Sequence, residues 1–187
     1  MSPPRLAPNE RRAQILGAVV PAILEHGAAV TSRQLAAAAG VAEGTIFRVF
    51  GDKESLLRAV AANEACRAYS LDGLEPDAGR DLAATVELVL DRIVERVGAF
   101  MRVAFALGPV ARDENVRANE AYGGFIVGIA RLLEPHRAEL RTDPIPAATV
   151  ISTVAIAASS DWEQPVQPLP PQAALDVLLH GITAKPA

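Results

Sequence analysis

Apolar positions recur every three to four residues along most of this chain, and that period predicts helices. Ile15, Val19, Ala22 and Ile23 form the inner stripe of a first helix, with Asn9 as N-cap, Glu10 in its first turn and Gly27 at its end. Pro21 lies inside the stripe and removes a backbone donor, so a kink between Gly17 and Pro21 is expected, without a break. Thr31 and Gln34 have capping-box spacing for a second helix, in which Leu35 and Ala38 face inward and Gly40 supplies the stop. Val41 fits a buried turn residue. A third helix from about Glu43 to Val49 places Ile46 and Phe50 on one side and leaves Thr45, Phe47 and Arg48 on other faces. Asp52 then caps a fourth helix to about Tyr69, with Leu56, Leu57, Val60 and Glu64 near one side.

After a turn around Gly73 and Pro76, Leu82, Val86, Val89, Leu90, Ile93, Val97, Phe100, Met101 and Phe105 keep helical spacing, as one long helix or as two meeting near Gly98. Gly108-Pro109 stops it. Asp113 opens a helix to about Leu133, with Val116, Tyr122, Phe125, Ile126, Ile129 and Leu133 inside. Gly123, Gly124 and Gly128 each cost up to ~1 kcal/mol there relative to alanine, which points to close backbone approach or room for a ligand. Asp143-Pro144 supplies an N-cap and a first-turn proline for a helix to about Ser160. Trp162 and a proline-rich loop lead to a last helix, Gln172 to Gly181, carrying Leu175, Leu178, Leu179 and Ile182.

Residues 31–50, two short helices around a glycine turn, have the layout of a helix-turn-helix, whose second helix enters the DNA major groove. With Gly44-Thr45-Ile46-Phe47, Phe50, Asp52-Lys53-Glu54 and Leu56-Leu57, and a preceding helix containing Ile15-Leu16 and Gly27, the chain strongly resembles the DNA-binding domain of the tetracycline-repressor (TetR) family over residues of about 9 to 60. The resemblance implies DNA contacts from Thr31, Arg33, Gly44, Thr45, Phe47, Arg48 and Lys53, with Thr45 and Arg48 facing the groove and Lys53 holding phosphate. Three positions depart from the family's pattern. Ala42 stands where a capping serine is usual, Glu43 where a lysine is frequent, and Phe47 where a tyrosine is common. The implied fold is all-α: a three-helix helix-turn-helix domain over residues 1–58, a linking helix to about 70, and a helical ligand-binding and dimerisation domain over 71–187.

Charge changes the picture once it is divided. The net charge of −4 is unlike a DNA binder, yet residues 1–70 hold 8 Arg or Lys against 6 Asp or Glu, a net of +2, and residues 71–187 hold 10 against 16, a net of −6. Positive charge therefore lies where it can displace counterions from phosphate. The single Cys66 forms no internal disulfide and is expected to be a buried thiol in a reducing compartment. No apolar run approaches the ~20 residues that span a bilayer, and Met-Ser-Pro-Pro-Arg-Leu lacks a signal-peptide apolar region, so a cytoplasmic protein without membrane contact is expected. His26, His136 and His180 lie in different elements without metal-ligand spacing, and Gly123-Gly124 has no following lysine to hold phosphate. No enzymatic activity, metal or cofactor is expected.

Phe100, Met101, Phe105, Tyr122, Phe125, Ile126, Ile129 and Trp162 are the candidate wall of an apolar ligand pocket, or an ordinary core stripe. Ala155 and Ala158, in a helix of small and β-branched residues, and Leu175, Leu178 and Leu179, in the last helix, are the candidate dimer interface, or an intrachain core. Proteins of the family resembled pair these two helices with their symmetry mates in a four-helix bundle. The expected function is a homodimeric transcriptional regulator, a repressor released from a palindromic double-stranded DNA operator by a small apolar or amphipathic effector. The alternative is a DNA-binding structural or partner-regulated protein of the same fold with no small-molecule inducer.

Overall fold

The computed structural model of the protein describes residues 7–112, 115–159 and 169–182, and among these residues there are α-helices and short 3-10 turns but no strand. Helix α1 (Pro8–Ala18) starts two residues earlier than its polar residues suggest. Pro8 presets the first helical φ, and the Glu10 carboxylate accepts the Ala7 N–H at 2.9 Å, so Ala7 and not Asn9 is the N-cap. Helix α2 (Val20–His26) follows after Val19 alone. Val19 keeps right-handed geometry, donates to Ile15 O at 3.1 Å and accepts from Ile23 N at 3.1 Å, so the helix is interrupted at Val19 alone, within the stretch Gly17 to Pro21, and the hydrogen-bond ladder passes through.

Helix α3 (Ser32–Ala38) begins with the expected capping box: Gln34 N donates to Thr31 Oγ1 at 3.2 Å, and Thr31 N donates to Gln34 Oε1 at 2.9 Å. Gly40 turns the chain at φ +63 into α4 (Glu43–Phe50). Helix α5 (Lys53–Ala68) is capped by Asp52, which accepts Ser55 N at 2.6 Å. That hydrogen bond first, and then the Ser55 side chain, hold the Asp52 carboxyl below its ordinary value of 3.8.

Packing divides the described residues into two units, one of residues up to 64 with 102–117 and one of 65–101 with 118 onward. This differs from the expected boundary at 71. Helix α6 (Leu82–Leu107) is a single helix, capped by Asp81 through Ala84 N at 2.7 Å, and Gly98 does not interrupt it. Its last residues, Val103 and Leu107, pack with the first unit's core of Ile15, Ile23, Leu35, Ile46, Leu56, Leu57 and Val60. Helix α7 (Pro109–Arg112) adds Val110 and Ala111 to the same core. Helical period reveals that α6 has an inner stripe; it does not reveal which of two cores each turn of the stripe serves.

The second unit joins α6 up to Val97 with α8 (Asn115–Leu133), α9 (Pro144–Ala158) and α10 (Pro171–Ile182). Val86, Leu90, Ile93, Phe125, Ile129, Leu133, Ile151 and Leu178 lie in one buried cluster. Each such side chain contributes about 1.5–3 kcal/mol of apolar burial. Of the three α8 glycines, Gly128 is the one forced by packing: a Cβ there would stand 2.6 Å from Leu71 Cδ1, whereas Gly123 and Gly124 face open space. Asp143 is the N-cap position of α9, but its carboxylate binds Arg137 at 2.6 Å instead of the helix.

Candidate nucleic-acid interface

The first unit buries one side of α4 and exposes the other. Ile46 is fully buried and Phe50 nearly so, while Gly44 and Arg48 are exposed, Thr45 is half-buried and Phe47 is 44 % exposed. Thr31 and Arg33, at the start of α3, are exposed as well. Polar, basic and aromatic side chains are thus exposed on both helices. Inside α3 the alanine register differs: Ala36 and Ala39 are buried and Ala38 is exposed. Val41 is half-buried against the same core.

The structure assigns Lys53 an internal partner set that the sequence did not reveal. Its ammonium donates to Ala28 O at 3.1 Å and Val30 O at 3.0 Å, tying the chain after α2 to the start of α5. Two of its three N–H donors are spent there, and the third remains for a phosphate. Ala42 occupies the N-cap of α4 with φ −69 and ψ 145 and makes no side-chain cap bond, so the departure from the capping serine is a real loss. Arg12 was missed altogether. Its Cζ stands 4.5 Å over the Phe50 ring, at the last residue of α4.

In the second unit the expected pocket residues separate. Tyr69, not among them, is the hub of the aromatic group, with ring centroids 6.4 Å from Phe100, 5.5 Å from Tyr122 and 5.7 Å from Phe125. Burial first, and then the neighbouring Tyr122, raise the Tyr69 phenol above its ordinary 10.0. Met101 and Ile126 are half-buried against this core, and Phe125 and Ile129 are buried within it. Phe105 is 78 % exposed and belongs to the first unit, so it is no part of the aromatic group. It lies on the solvent side of the α6 turn whose inner residues are Val103 and Leu107. Trp162 lies outside the described residues.

The expected dimer residues also need correction. Ala155, Leu175 and Leu178 are buried inside the subunit, because the small residues of α9 let α10 pack closely against it; Ala158 and Leu179 are half-buried. The apolar surface that remains open is different: Val150 and Val177 are 46 % and 59 % exposed, and with Val154, Gly181, Leu178, Arg141 and Thr142 they line a groove of about 350 Å³.

Chemistry of another kind finds little footing. His136 is buried, with Nε2 3.2 Å from Thr85 Oγ1 and Nδ1 3.0 Å from Glu139 Oε1, an order of groups that superficially suggests a hydrolytic triad. Thr85 is itself buried and its hydroxyl donates to Asp81 O at 2.9 Å, so it secures the first turn of α6 and offers no nucleophile to solvent. Among the described residues no cluster of His, Cys, Asp or Glu is arranged to hold a metal, and no helix is long and apolar enough to cross a membrane. Cys66 is exposed on α5, not buried as expected.

Residues 15–60 match the family model of bacterial regulatory proteins of the tetR family, the span that holds the cap, the glycine turn and the exposed face of α4. Over these residues the chain carries the DNA-binding domain of the TetR family. Its fold is similar to a TetR-family regulator from Rhodococcus, at 25 % identity over 91 % of this chain and 96 % of that one, with a TM-score of 0.56. A TetR transcriptional regulator from Agrobacterium tumefaciens is 19 % identical over 94 % and 96 % of the two chains, with a TM-score of 0.64. NalD of Pseudomonas aeruginosa, the secondary repressor of a multidrug efflux pump, is 20 % identical over 94 % and 98 %, with a TM-score of 0.58. No curated protein matches the chain. The matched domain is that of non-enzymatic, DNA-binding transcription regulators.

Proposed function

We propose that this TetR-family regulator is a homodimeric repressor, held on a palindromic operator and released by a small apolar or amphipathic ligand. The observation that carries the DNA-reading part is the split of α4 into a buried face, Ile46 and Phe50, and an open face, Gly44, Thr45, Phe47 and Arg48. Thr45 and Arg48 read base edges, while Thr31, Arg33 and the free donor of Lys53 hold backbone phosphate. A two-fold dimer lets two weakly basic domains add their binding energies over half-sites ~34 Å apart. The open valine face of α9 and α10 supports that pairing.

Ligand release is supported by the aromatic and flexible apolar side chains of the second unit, Phe100, Met101, Tyr122, Phe125, Ile126 and Ile129, which suit an apolar effector. Helices α5 and α6 each supply residues to both cores, so a ligand that repacks one core can alter the spacing of the two recognition helices. Repression is the role of the structurally similar NalD, and it needs only occupancy of a promoter. Selection of bound duplexes from a random DNA pool tests the reading. An inverted repeat with half-site centres about one helical turn apart is expected; enrichment of a single unpaired site, or of none, would overturn the dimeric operator reading.

A further inference from the structure

We propose that Arg12 is a phosphate clamp at the C-terminal end of the recognition helix, seated for that task by the ring of Phe50. The inference rests on the DNA-binding role of the first unit and adds a contact from a helix that carries none of the assigned DNA residues. Helix α1 presents Arg11 and Arg12 side by side, and their surroundings differ. Arg11 Nη1 donates to Gln14 Oε1 at 3.3 Å along its own helix. Arg12 crosses to α4, where its Cζ lies 4.5 Å over the centroid of the Phe50 ring.

Stacking uses the flat face of a guanidinium and leaves the N–H donors around its edge available. Arg12 is exposed, and among the described residues no carboxylate forms an ion pair with it; Arg58, by contrast, is paired with Glu54 at 2.6 Å. The side chain is therefore fixed in direction while its charge is unspent. Its position gives that charge a use. The C-terminal end of a helix carries unsatisfied carbonyls and repels phosphate, and α4 ends at Phe50, where Gly51 turns away at φ +86. A helix of eight residues is about 12 Å long, comparable to the ~12 Å width of the major groove. Both ends of α4 then come near the phosphates that border the groove. Arg12 neutralises the unfavourable end and offers paired N–H donors to one of those phosphates.

The test compares Arg12→Ala, Arg12→Lys and Arg11→Ala in the full-length protein, using selected operator DNA and an unrelated duplex across a salt series. Thermal midpoints are recorded alongside. Arg12→Ala should weaken binding to both duplexes and make the log–log salt slope shallower by about 1 per subunit. Arg12→Lys should keep most of the slope, since the charge survives, and Arg11→Ala should leave the slope within error of the parent. A lower midpoint for Arg12→Ala with an unchanged slope would overturn the proposal and leave Arg12 as a cover for Phe50. An equal loss of slope in Arg11→Ala would overturn it too, because diffuse charge would then explain the effect. Failure of the parent protein to bind either duplex would instead refute the DNA-binding reading itself.

Discussion

Ala42 holds the N-cap position of α4 with extended backbone geometry and no side-chain acceptor, so the N–H groups of that turn lack a partner a serine would supply. Ala42→Ser should raise stability by about 1 kcal/mol, read as a higher urea midpoint at unchanged slope. Ser152 is the opposite case. Its hydroxyl is fully buried in α9 with no hydrogen-bond partner among the described residues, a burden of about 1–3 kcal/mol. Ser152→Ala should match or exceed the parent in stability, and a clear loss would mean that the hydroxyl is bonded. Asp52 gives a pH signature. Because its folded carboxyl titrates below 3.8, the cap stabilises above that value and its contribution is lost as pH falls through the lowered folded value. The stability difference between parent and Asp52→Ala should therefore shrink on acidification. Caps of this kind were legible in the sequence because Thr31-x-x-Gln34 and Asp52 are local chemistry. Ala38 and Cys66 were misplaced for contrasting reasons: the run Ala36 to Ala39 has no polar residue to mark its outer side, whereas Cys66 falls off the buried stripe of Leu57, Ala61, Glu64, Ala65 and Ala68 and could have been read as exposed.

At the scale of elements, α9 shows where periodicity stops being informative. Nearly every position is apolar or small, so the helix carries no outward polar stripe to set its rotation. The subunit takes Ala147, Ala148, Ile151, Ser152 and Ala155 for its own core and leaves Val150 and Val154 beside them on the groove. A disruption of the proposed dimer must therefore be made at the open valines. Val177→Glu should yield a folded monomer by sedimentation, with far-UV circular dichroism unchanged and cooperative operator binding lost. Leu178→Glu buries an unpaired charge in the subunit itself and should unfold it, at a cost of several kcal/mol. A Val177→Glu protein that stays dimeric at micromolar concentration would place the interface elsewhere. Lys53 belongs here as well, since it joins the segment after α2 to α5. Lys53→Ala should lose stability by about 1.5–3 kcal/mol at most, the range for hydrogen bonds from a charged group, less its partial solvent screening, as well as any phosphate contact.

For the whole molecule, a ligand that releases DNA must weaken operator binding by the factor by which DNA weakens ligand binding, a coupling of about 1–3 kcal/mol. Tyr122 and Met101, half-buried against the core of the second unit, are the positions to truncate; Phe125→Ala empties a core site and confounds binding with folding at about 3–5 kcal/mol. The all-helical plan and the reading head were visible in the sequence, since both rest on short-range patterns. The shared membership of α6 in two cores was not, because it depends on contacts distant along the chain. The central claim is that the open face of α4 reads DNA sequence. Its most direct measurement is the ratio of operator to unrelated-duplex affinity at fixed salt for the parent and Arg48→Ala. Arg48→Ala is expected to lower operator affinity by about 1–3 kcal/mol more than it lowers affinity for unrelated DNA. Equal losses on both duplexes, or none on either, would contradict it.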